Sequence, residues 1–179
     1  MKHREIKRLC ISAMLFAMGL LLPFLTGQVP EIGNMLLPMH IPVLLCGLIC
    51  GPIWGLGVGA TLPIARSLIF SRPLLFPSAI AMSPELATYA LVVGIVYALS
   101  RKNILSLYLS LISAMVCGRV VWGAVMALIM IGKGGFTMTA FISGAVLDAI
   151  PGIILQLVLI PLIMVALEKS GLIKSMYEK

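Results

Sequence analysis

The sequence predicts an all-α integral membrane protein, a bundle of six transmembrane helices with N- and C-termini cytoplasmic. Three observations carry this expectation. Of 179 residues, 61% are hydrophobic and only 11% charged, with a mean hydropathy of +1.15, whereas a soluble domain carries about 25% charged residues. Apolar runs matching the roughly 20 residues needed to cross a bilayer recur along the chain. The cations cluster at the two ends and in one internal turn, a distribution that reads as membrane topology. At this length one membrane domain over residues 1–179 is the expected unit.

The first helix is placed at about residues 6–25, behind Lys2, Arg4, Lys7 and Arg8. No small-residue cleavage pattern follows a short apolar core, so this run reads as a retained span rather than a signal peptide. A polar loop with Gly and Pro follows from Gly27 to Pro38. The apolar stretch from His40 to Phe70 would be about 46 Å long as one helix, too long for a ~30 Å hydrocarbon layer. Gly51-Pro52 supplies a break. Residues 40–50 and 53–70 are therefore two helices, the first short and tilted or part-spanning. Further helices are placed at 79–99, 104–131 and 141–167, separated by Arg101-Lys102-Asn103 and by a connector holding Gly132-Lys133-Gly134-Gly135. Ser71 to Ser83 reads as a partly helical loop, with a bend at Pro84.

Orientation follows from the cations. With the N-terminus inside, Lys2, Arg4, Lys7, Arg8, Arg101, Lys102, Lys169, Lys174 and Lys179 are cytoplasmic, and only Arg72 and Lys133 are external. The positive-inside rule favours that arrangement. The net charge of +7 thus gives no reason to expect nucleic acid as a partner. Cys10, Cys46, Cys50 and Cys117 lie in or at apolar segments without histidine or acid at ligand spacing, and read as small packing residues, not metal ligands.

Several patterns admit more than one role. Ala13 and Ala17 form a small-x-x-x-small pair that lets another helix approach closely. That helix either belongs to this bundle or to a separate membrane partner. Gly47, Gly51, Gly55 and Gly59 recur every four residues across the Gly-Pro turn and predict tight packing of a hairpin. Gly55-x-Gly57-x-x-Ala60 satisfies a dinucleotide fingerprint on paper, but lacks the strand and βαβ unit that give it meaning.

Arg66, Glu85, Arg119 and Asp148 are ionisable residues inside predicted spans, where charge is costly and usually faces a cavity or a partner. All fall at the midplane or in the outer half. They are candidate substrate-binding residues, together with Tyr89 and Trp122 one turn from Glu85 and Arg119, Gln156 two turns from Asp148, and Asn34 and His40 on the external side. Each also has a simpler role. Glu85 follows Ser83-Pro84 and suits a helix first turn. Arg66 can snorkel to the interface, Arg119 and Asp148 can pair structurally, and His40 reads as an interfacial histidine. No P-loop, H-E-x-x-H, nucleophile elbow or paired metal-ligand set is present, so neither catalytic residues nor a cofactor is expected.

Taken together, the chain resembles the substrate-binding S components of energy-coupling factor (ECF) vitamin transporters. The resemblance rests on length, six spans, the stretch Cys46-Gly47-Leu48-Ile49-Cys50-Gly51-Pro52-Ile53-Trp54-Gly55, Pro84-Glu85-Leu86-Ala87-Thr88-Tyr89, and Ala13-x-x-x-Ala17. It implies capture of a small water-soluble vitamin outside the cell and delivery inward with a membrane coupling subunit and two ATPase subunits, which hydrolyse the ATP. It also implies that Ala13 and Ala17 dock the coupling subunit, and a prokaryotic plasma membrane as location. Pantothenate could use Arg66 or Arg119; pyridoxine or hydroxymethylpyrimidine could use Glu85, Asp148 and aromatic stacking. The alternative is a proton-coupled secondary transporter working through Glu85 or Asp148. An internal repeat, expected for many such folds, is not evident. A membrane enzyme lacks a nucleophile or metal set here, and a purely structural or sensory subunit would have no use for four membrane charges.

Overall fold

A computed structural model describes residues 2–24, 36–101, 103–131 and 149–170. They form six α-helices: α1 (Lys2–Leu21), α2 (His40–Ile49), α3 (Pro52–Phe70), α4 (Ile80–Leu99), α5 (Ile104–Ile129) and α6 (Ile150–Lys169). A 3-10 turn, Leu22–Phe24, extends α1. A wide π turn, Leu75–Ala79, leads into α4. Five helical stretches are long and apolar enough to cross a membrane. They expose Ile53, Leu68, Leu99, Leu105, Val116, Leu128 and Leu162, far more apolar surface than a protein in water tolerates.

The sixth helix is of another kind. α2 has ten residues, and all of them are buried. At 1.5 Å per residue it is about 15 Å long, half the hydrocarbon layer. It packs against α1, α3, α4 and α6, so it is the axis of the bundle rather than a sixth lipid-facing span.

Local chemistry sets the helix ends. Gly51 closes the α2–α3 turn at φ 101°, a conformation that side chains disfavour, and Pro52 follows as the first residue of α3. Asn103 caps α5 by accepting the Ser106 N–H at 2.8 Å. The break before α4 falls at Phe76 (φ −117°, ψ 131°), well ahead of Pro84, which lies inside the helix. Pro84 occupies the fifth position of α4, so the hydrogen bond it forfeits is the one to Ile80 O, near the start of the helix. The described part of the last helix starts at Ile150; residues 141–148 lie outside the described residues.

The glycine series brings α2, α3 and α4 to backbone contact. A Cβ on Gly55 would stand 2.7 Å from Gly47 Cα, one on Gly59 would stand 2.5 Å from Leu86 O, and one on Gly94 would stand 2.8 Å from Gly47 O. Gly47 meets the Ala90 backbone in the same way. The hairpin packing expected from the four-residue spacing is present, with Gly94 on α4 as an additional member.

On α1 the inward stripe is Ser12, Leu15 and Gly19, with Gly19 against Leu62. Ala13 and Ala17 are exposed on the other side with Met14 and Met18. Packing within the bundle, one of the two roles expected of the alanine pair, is therefore performed by the neighbouring stripe. Cys46 and Cys50 are buried, whereas Cys10 and Cys117 are exposed and pack nothing in the interior.

Candidate functional site

The polar centre is built where α2, α4 and α5 meet. His40 opens α2, Glu85 and Tyr89 lie one turn apart on α4, and Arg119 lies mid-way along α5. Arg119 Nη1 stands 3.1 Å from Glu85 Oε1, and His40 Nε2 is 3.6 Å from the same oxygen. The side chains of His40 and Glu85 are 1% and 2% exposed, and that of Arg119 13%. The Tyr89 ring meets the His40 ring edge-on at 5.0 Å, and its hydroxyl lies against the Arg119 guanidinium. Gly118, one residue before Arg119, leaves the space that the Tyr89 ring fills.

Two of the simpler roles are overturned by this geometry. Glu85 is not a first-turn cap: α4 begins at Ile80, and Ser83 uses its hydroxyl to donate across to Ala60 O on α3. His40 is not interfacial: it is 1% exposed and faces Glu85 and Tyr89. Sequence reasoning missed the connection because nothing in a lone histidine at a helix start identifies its partner 45 residues away.

The hydrogen bonding of the centre is incomplete. The Glu85–Arg119 contact is close but poorly aligned, so it is an ionic contact rather than a full hydrogen bond. Among the described residues, His40 Nδ1 and Nε2, Glu85 Oε1, Arg119 Nε and Nη2, and Gln156 Nε2 are buried without a hydrogen-bond partner. Apart from these, among the described residues only Arg8 Nε shares that condition. Buried polar groups are almost always paired, because leaving one unpaired forfeits its hydration. Such atoms concentrated on four residues are what an interior built to hold a polar guest requires. Gln156, 1% exposed, comes from α6, which packs against both α2 and α5. Trp122 is half-buried one turn beyond Arg119.

Arg66 belongs to a different cluster. It is 4% exposed and does not snorkel. Its Nη1 donates to Arg72 O at 2.7 Å and its Nε to Leu20 O at 3.4 Å. The guanidinium also lies 5.6 Å and 5.9 Å from the Phe24 and Phe70 ring centres. It therefore satisfies an orphan carbonyl in the last turn of α1 and ties that end to the end of α3. Asn34 and Asp148 lie outside the described residues, and with them any pairing of Asp148 with Arg119.

A family model described as "ECF transporter, substrate-specific component" matches residues 7–164. No curated protein and no solved structure matches the chain. The matched region takes in most of α1, α2 to α5 whole and most of α6, including every described residue of the polar centre. The chain therefore belongs to the ECF transporter substrate-specific (S) component family: it is a multi-pass membrane transport subunit, not an enzyme, and it works with the other subunits of that transporter.

Proposed function

We propose that the centre formed by His40, Glu85, Tyr89 and Arg119, with Gln156 and Trp122, is the substrate site of this S component. Its substrate is a small water-soluble vitamin or precursor of the pantothenate, pyridoxine or hydroxymethylpyrimidine class. The observation that carries this reading is the concentration of unpartnered buried polar atoms on His40, Glu85, Arg119 and Gln156. A purely structural ion pair needs good geometry and satisfied remaining donors to offset desolvation. This one has neither. A polar guest supplies the missing partners, and the Tyr89 and Trp122 rings offer faces for an apolar or aromatic portion.

In this reading the site opens to the external side and both chain ends are cytoplasmic, as the distribution of cations favours. A membrane coupling subunit docks on the exposed face of α1 that carries Ala13 and Ala17, whose small side chains admit a helix at close range. Two ATPase subunits supply the energy, consistent with the lack of a P-loop in this chain. Arg66, with its donors engaged on carbonyls, contributes to the shape of the bundle rather than to the ligand. The proton-coupled alternative loses its footing with the family assignment.

The test is a binding screen on the purified, detergent-solubilised protein. Thermal shift and calorimetry with the three vitamin classes should single out one class, and its binding should weaken at least tenfold in Glu85→Gln and Arg119→Lys. Full affinity in both variants would place the substrate elsewhere.

A further inference from the structure

We propose that the substrate carries a carboxylate, and that it docks on the Nε–Nη2 edge of Arg119; this rests on the polar centre being the substrate site. A guanidinium offers its nitrogens in a fixed planar fork. Here Nη1 is the corner held against Glu85 Oε1, at 3.1 Å. By covalent geometry the edge opposite that corner presents the Nε–H and one Nη2–H side by side. Both atoms are buried, and neither has a hydrogen-bond partner among the described residues. Two parallel donors on one edge match the two oxygens of a carboxylate in the bidentate arrangement that arginine favours. Glu85 thus orients the guanidinium through one corner, the Tyr89 hydroxyl lies against the same group, and among the described residues Nε and Nη2 remain without a hydrogen bond.

The other unpartnered atoms point the same way. Gln156 Nε2 is a donor, and in either neutral tautomer of His40 one of its ring nitrogens is a donor. The acceptors of the set are fewer: the other His40 ring nitrogen, and Glu85 Oε1, which already faces Arg119 Nη1 and His40 Nε2. A centre with surplus donors is completed by a guest with surplus acceptors. A ligand presenting ring amines would pair with Glu85 and leave the Arg119 edge bare. A carboxylate on that edge has the guanidinium between itself and Glu85, so the cation screens the two acids from each other.

The experiment uses matched pairs that differ in the carboxylate alone: pantothenate and pantothenol, nicotinate and nicotinamide, biotin and biotin amide. Each is titrated calorimetrically into the full-length protein and into Arg119→Lys, which keeps the charge but loses the fork. Gel filtration and thermal unfolding confirm that both fold. The expected result is binding of at least one acid, with its neutral partner at least tenfold weaker, and a preference below threefold in Arg119→Lys. A panel in which no acid binds, or in which the neutral partner binds as well as the acid, overturns the carboxylate. If that neutral binding still falls in Arg119→Lys, the substrate site itself stands. An acid that binds wild type and Arg119→Lys equally overturns both the docking edge and the site.

Discussion

Removing Glu85 and Arg119 singly and together separates a site kept for function from one kept for stability. Glu85→Leu leaves the Arg119 guanidinium, 13% exposed, with none of its described ionic contacts. Arg119→Leu leaves the 2%-exposed Glu85 carboxylate facing only His40 at 3.6 Å. Breaking a buried pair from one side costs roughly 3–5 kcal/mol, whereas replacing both partners by apolar residues is often neutral or stabilising. The low end, about 3 kcal/mol, applies to Glu85→Leu because Arg119 keeps some exposure. For a chain of this size that is a fall of roughly 6–12 °C in unfolding temperature. The double variant should be more stable than either single one, and within about 1 kcal/mol of wild type. Its ligand binding should nevertheless be lost. Thermal unfolding of the detergent-solubilised proteins with and without ligand reads both quantities. A double variant whose loss equals the sum of the single losses would show that the two side chains act independently, and would refute the pairing.

Other perturbations follow from the same geometry. In Gly118→Ala the new Cβ would stand 2.6 Å from Tyr89 Cδ2 and Cε2, so the ring must withdraw by about 0.8 Å to reach the 3.4 Å of ordinary contact; ligand affinity should drop about tenfold while stability falls by roughly 1–3 kcal/mol. Gly59→Ala would drive a methyl to 2.5 Å from the backbone oxygen of Leu86, and should cost at least roughly 1–3 kcal/mol in unfolding. Gly57→Ala meets nothing within 4 Å and should leave unfolding unchanged or improved by up to about 1 kcal/mol. Ala13→Leu with Ala17→Leu alters exposed positions, so stability should stay within about 0.5 kcal/mol, while co-purification with the coupling subunit is lost.

The long helices were legible because a membrane imposes length: runs of about 20 apolar residues give α1, α3, α4 and α5 within a few residues of their ends. The α2–α3 break was legible because Gly51-Pro52 is a chemical stop. What the pattern could not convey is which side of a helix faces inward. In lipid, apolar residues line both faces, so periodicity does not separate the enclosed α2 from a span in contact with lipid. The same ambiguity hid the direction of Ala13 and Ala17. Of the candidate site, Glu85, Tyr89 and Arg119 were visible as polar residues in apolar runs, and they do meet. Arg66 shared that signal yet bonds backbone carbonyls, one of them 46 residues away, which no side-chain pattern reports. The partner of His40 was equally invisible, because the contact exists only once α2 lies inside the bundle.

Native mass spectrometry of the small molecule carried through purification tests the polar centre as the substrate site. It compares wild type with Arg119→Lys and Glu85→Gln, each checked for folding by thermal unfolding. A vitamin-sized molecule should be bound to the wild-type chain and absent from both folded variants. The same molecule retained at full occupancy by both variants would contradict the assignment of the polar centre as the substrate site.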